Sequence, residues 1–170
     1  MRLFPSCLLH GSPKNSLARL CATYSDESAP FGPAIYLTED PEVASCYAKG
    51  TGVIYAVQLA GNSELTISMN APWKNLSVDA RLAITKLFKV ANAPFPANTD
   101  NARAIIDSVI PAMCIRKRNE FLAAQGIWML YGYIDAVEQS GLCGSGVQYA
   151  VLSESVIESQ GVWEASRFVG

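Results

Sequence analysis

The apolar positions of this chain change their spacing twice, and the changes divide it into three stretches. Residues 3–9 are mostly apolar and stop at His10-Gly11-Ser12-Pro13, which predicts a buried strand closed by a Gly/Pro turn. A short helix is predicted over 15–24. Residues 25–33 are Ser, Asp, Glu, Pro and Gly by type and read as a loop into a second strand at Ile35-Tyr36-Leu37. Asp40 suits an N-cap, Pro41 a first helical position and Glu42 the positive end of the helix dipole, so a helix is predicted to begin at Pro41. A third strand, rich in β-formers, is predicted over 52–59 and ends at Gly61-Asn62.

The spacing then becomes helical. Leu82 and Leu87 with their apolar neighbours predict an amphipathic helix over 77–91. A proline-rich break at 94–96 separates it from a second helix over 99–112, and a third over 117–125 ends at Gly126 as a C-cap would. From Ile127 the β signal returns over 128–134, 147–152 and 162–169. Strands at both ends with helices between them predict an α+β domain whose helices cover one side of a sheet.

At 170 residues and 50% hydrophobic, one domain spanning 1–170 is expected. The net charge of −2 offers no phosphate-neutralising surface, so nonspecific nucleic-acid binding is not expected. The only basic run, Arg116-Lys117-Arg118, reads as a solvated helix face. Five cysteines at irregular spacing, without a C-x-x-C pair, argue against a disulfide framework or a zinc site and favour a reducing cytoplasm. No basic leader with an apolar core opens the chain, and no apolar run approaches a membrane span, so a cytoplasmic protein with no membrane partner is expected.

Chemistry enters through the aromatic residues. Tyr36 ends a strand, Tyr47 lies in the following helix four residues after Val43, and the two rings are predicted to flank a cleft that a flat aromatic ligand would fit. Residues 141–146 are glycine-rich but lack the lysine and Ser/Thr of a phosphate loop, and read as a hairpin turn. Cys46 is a poor candidate nucleophile, because the chain's single histidine, His10, is the only base for a Cys/His pair.

His10-Gly11-Ser12 after a first strand, Tyr36 and Tyr47 around a turn and helix, and Gln148-Tyr149-Ala150-Val151 on a late strand resemble the ADP-ribosyltransferase superfamily. The resemblance is to its poly(ADP-ribose) polymerase and diphtheria-toxin branch, with a closing segment similar to small bacterial and phage-encoded members. It implies a split, strongly bent β-core in which the first strand, the Tyr36 strand and the Gln148 strand meet at one cleft. It also implies NAD as co-substrate, a protein target, and a role as a toxin, effector or phage-encoded inhibitor of host defence. His10 would bond a ribose hydroxyl of the adenosine half, the Gly11 backbone would hold the nicotinamide amide with help from Ser12, and Tyr36 and Tyr47 would flank the nicotinamide ring.

In this branch a glutamate usually stands where this chain has Gln148. Breaking the nicotinamide–ribose bond builds positive charge on the ribose, as in glycoside hydrolysis, and glutamine offers hydrogen bonds but no charge to meet it. Asp135 and Glu138, close in sequence to the Gln148 strand, are the candidate sources of a carboxylate. Members without the glutamate are mono-ADP-ribosyltransferases or inactive, so the resemblance implies a mono-ADP-ribosyltransferase. Its alternatives are a binding module without turnover and an NAD glycohydrolase.

Overall fold

Asp40 caps the first helix as its position predicts: its carboxylate accepts the Glu42 N–H at 2.8 Å, and Pro41 occupies the first turn of α1 (Pro41–Tyr47). The computed structural model describes residues 5, 7–14, 16–22, 27–49, 51–135 and 144–163. Its strands are β1 (Leu8–Ser12), β2 (Ile35–Thr38), β3 (Val53–Leu59), β4 (Thr66–Ser68), β5 (Met129–Ile134), β6 (Gly146–Val151) and β7 (Ile157–Val162). Three further helices, α2 (Val78–Ala91), α3 (Ala102–Asp107) and α4 (Ile115–Ala124), lie between β4 and β5. Ser77 caps α2 and Asn101 caps α3, each by accepting a backbone N–H in the first turn. The chain after α4 turns at Gly126, as its type predicts.

The strands form one mixed sheet in the order β4-β5-β6-β2-β1-β3-β7, antiparallel throughout except for β4 with β5. An α+β fold with strands at both ends is therefore present. Helices α2, α3 and α4 pack Ile84, Leu87, Ile106 and Leu122 against Ile67, Leu130 and Ala150 on one face. The opposite face holds a second cluster, in which Leu8 and Val57 join Leu37, Trp128, Met129 and Tyr149. Leu8, Leu37 and Tyr149, on the strands that lie between β3 and β5, make this cluster continuous across the sheet. The Trp128 indole N–H donates to the Asn62 carbonyl just beyond β3.

Several expectations are corrected. The described residues 16–21 are not helical: the Leu17 N–H bonds the Tyr55 hydroxyl, and the Leu20 N–H bonds Gln160 Oε1. Side chains from β3 and β7 thus supply the partners that a helix would have supplied. Strand β1 runs on through Gly11 and Ser12 instead of turning at them, because β3 pairs with both. Helix α3 is six residues long, shorter than the predicted 99–112. The closing strand ends at Val162, where the sequence predicts one to start, and 164–170 lie outside the described residues. Strand β4 was not predicted. The basic run does not form one solvated face, since Lys117 is exposed but Arg118 is completely buried. Cys46 is in a disulfide, while Cys7 and Cys114 are free thiols, because pairing follows proximity in space and not spacing along the chain. Among the described residues no helix is long and apolar enough to cross a membrane.

Candidate functional site

The sheet nearly parts between β1 and β2. Their only residues in register are Leu9 and Thr38, whereas β1 pairs with β3 along its whole length. Peptide orientation follows from the far edge. The Trp163 N–H donates to the Ile54 carbonyl, so Ile54 faces β7, and alternation turns Tyr55 toward β1. The partners of Tyr55 and Val53, His10 and Ser12, then face β3, and the peptide groups of Gly11 face β2. Continuing the Leu9–Thr38 register would set Gly11 opposite Tyr36, and that rung is not formed. His10 occupies its place: Nδ1 lies 2.8 Å from the Tyr36 carbonyl oxygen. A carbonyl only accepts, so Nδ1 carries the proton and Nε2 is left as an acceptor. Burial lowers the His10 pKa against the opposing effect of that bond, which keeps the ring neutral near pH 7.

Glycine is required at position 11. A Cβ there would overlap the Ala44 carbonyl of α1, which lies directly over the strand. The same closeness brings Tyr47, half-buried on α1, within electrostatic range of Tyr36. Ser12 is less available than the sequence suggests, because it is buried and its hydroxyl accepts the Lys14 N–H.

Tyr36 is built into its surroundings. Its hydroxyl accepts the Phe31 N–H at 2.7 Å and donates to the Gly32 carbonyl at 2.9 Å. Its ring stacks on Phe31, with centroids 6.4 Å apart. Burial raises the Tyr36 pKa, with partial relief from the Phe31 bond, so the phenol stays protonated. The 31–33 turn is gripped from the other side by α4. Arg118 donates to the Phe31 carbonyl and to Asp107, and Asn119 donates to the Phe31 and Pro33 carbonyls. Gly32 sits at φ 79°, a left-handed conformation that glycine adopts without strain. Burial pulls the Arg118 pKa down and Asp107 holds it up.

Gln148 stands in register with Thr38 on one side and Gly132 on the other, so Leu9, Thr38, Gln148 and Gly132 form one row across four strands. It is 3% exposed, and its Nε2 is buried without a hydrogen-bond partner. The missing side chain of Gly132 is replaced by the Asn70 amide, whose oxygen accepts the Tyr133 N–H.

The structure thus brings His10, Tyr36 and Gln148 together on three adjacent strands, though not on one face. His10 shares its face with Tyr55, while Tyr36 and Gln148 lie on the helix-covered face. Asp135 is three residues past Gly132 along β5, about 10 Å, and accepts a hydrogen bond from Ser145. Glu138 lies outside the described residues. Sequence reasoning missed Glu39, which follows Thr38 and accepts a hydrogen bond from the Tyr149 hydroxyl on the face opposite Gln148. Its place beside the Asp40 cap is the only signal that could have drawn notice to it. Away from the junction, a groove of about 650 Å3 runs along the outer side of α1 past Cys46, Lys49 and Trp163.

No protein-family model, curated protein or solved structure matches this chain.

Proposed function

We propose that this protein binds NAD at the β1–β2 junction and transfers ADP-ribose to a protein target, as a mono-ADP-ribosyltransferase with glutamine in place of the usual glutamate. The observation that carries the reading is the unformed rung between Gly11 and Tyr36, bridged by His10 and two rows away from Gln148. A peptide edge without a partner strand suits a carboxamide, which needs one acceptor and one donor. The neutral His10 Nε2 suits a ribose hydroxyl. The Gln148 Nε2, a buried donor without an acceptor, calls for an oxygen-bearing ligand or a water, since buried donors are otherwise paired. The ADP-ribosyltransferase-like fold and a toxin or effector role belong to the same proposal.

One observation favours a second reading, binding without turnover. On the described residues, Glu39 and Asp135 are each engaged by a hydroxyl, from Tyr149 and Ser145, and neither shares the face of Gln148. A single experiment separates the readings: wild type and Gln148→Glu are incubated with labelled NAD and cell lysate. Transfer of label that rises in Gln148→Glu supports the transferase, because a carboxylate stabilises the ribosyl cation better than an amide can. Saturable NAD binding with no label transferred or nicotinamide released by either protein supports the binding module. Absence of NAD binding refutes both.

A further inference from the structure

Two guanidinium groups share one carboxylate beside Tyr36. Arg118, fully buried, takes the Asp107 Oδ1 at 2.6 Å. Arg103, one turn before Asp107 on α3, reaches the other oxygen only at 3.6 Å. Asp107 can neutralise one cation, and the closer and more deeply buried Arg118 has first claim on it. A net positive charge is left on the half-buried Arg103, whose side chain is 31% exposed. Its guanidinium lies 5.7 Å from the centre of the Phe31 ring, the ring that stacks on Tyr36. Its backbone N–H bonds the Met69 carbonyl, which places it next to Asn70, the residue whose amide fills the space over Gly132 beside Gln148. The aromatic ring orients the planar fork and the carboxylate only partly screens it. An arginine so held is suited to an incoming oxyanion, which would supply the missing negative charge and accept two parallel N–H bonds.

We propose that Arg103 is the recognition residue for a phosphate-type anion, and that in the NAD reading this anion is the diphosphate of the dinucleotide. The assignment rests on that reading for the identity of the ligand but not for its charge. The same chemistry would be met by free inorganic pyrophosphate, so the test carries arms for both sources.

Calorimetric titrations would be run on wild type, Arg103→Gln and Arg103→Lys with NAD, ADP-ribose, nicotinamide and inorganic pyrophosphate. Thermal melting of each variant would check that it is folded. The expected result is at least about a tenfold loss of affinity for NAD and ADP-ribose in Arg103→Gln, with nicotinamide affinity unchanged. Arg103→Lys should recover part of that loss, since it keeps the charge without the fork. Wild-type binding of NAD should weaken with salt more steeply than that of Arg103→Gln. Equal weakening of nicotinamide and ADP-ribose would overturn the assignment and make Arg103 a packing residue for Phe31. Unchanged ADP-ribose affinity in a folded Arg103→Gln would overturn it while leaving the NAD reading standing. Binding of pyrophosphate that depends on Arg103, with no binding of NAD, would keep the anion site and end the NAD reading. Failure of wild type to bind any of the four would end both.

Discussion

The turn at Phe31–Pro33 and the junction between β1 and β2 meet at one short strand, β2, and they differ in how completely their polar groups are used. At the turn, Arg118 and Asn119 take the Phe31 and Pro33 carbonyls, while the Tyr36 hydroxyl serves both Phe31 and Gly32. At the junction a rung of the sheet is unformed, a histidine ring stands in for a backbone donor, and the Gln148 amide nitrogen is buried without a partner. A chain able to satisfy the turn so fully could also have closed the junction with one more rung. Saturated polar networks hold a fold in place, whereas buried groups without partners in a well-packed region mark places built to meet something else.

The comparison breaks most visibly if the turn is undone. Arg118→Met should lower stability by about 3 kcal/mol, because it strips partners from Asp107, Asn119 and the Phe31 carbonyl. The lower end of the usual range applies because Asp107 is 36% exposed and water can replace its partner. Denaturant unfolding would check this; a loss under about 1 kcal/mol would mean that the network is ornamental. Tyr36→Phe should cost about 1–3 kcal/mol, from the orphaned Phe31 N–H and Gly32 carbonyl. It should leave NAD affinity within about twofold, since the hydroxyl is already engaged and only the ring remains for a ligand.

At the junction the effect is smaller and depends on pH. His10 has its pKa lowered by burial, so an unfolded chain takes up a proton near pH 6.5 while the folded one does so only at lower pH. Stability should therefore fall as pH drops below about 6.5 toward the folded-state value, the direction required when the unfolded state binds more protons. In denaturant midpoints the wild type should lose more than His10→Gln over that interval. Parallel pH profiles would mean that the His10 ring is not held neutral by the fold.

Much of the frame was legible in the sequence, because it rests on local chemistry. The Asp40–Pro41 cap, the helical spacing of residues 77–91 and the turn at Gly126 are signals carried by adjacent residues. His10, Tyr36 and Gln148 lie on neighbouring strands, but His10 is on the opposite face from the other two, a difference that their order along the chain does not carry. What escaped depends on distant partners. Residues 17–22 look helical until Tyr55, Glu154 and Gln160 take their backbone groups. Strand β4 has three residues, too few for a period, and exists because β5 pairs with it. The polar Ile157–Val162 is an edge strand with little apolar content to mark it. Arg118 sits in a basic run that reads as surface, and only the fold of the 31–33 turn gives its charge somewhere to go.

The central claim, that the junction's unpartnered polar group exists for a ligand and not for the fold, is tested most directly at Gln148. Methionine has nearly the same shape and no polar hydrogens, so Gln148→Met removes the orphaned donor without opening a cavity. Stability by denaturant unfolding and NAD consumption would be measured on the same preparations. The account predicts that Gln148→Met is as stable as wild type or more so, while NAD consumption falls by about tenfold or more. A loss of stability exceeding about 1 kcal/mol with NAD handling unchanged would contradict it, and would make Gln148 part of the fold's own hydrogen bonding.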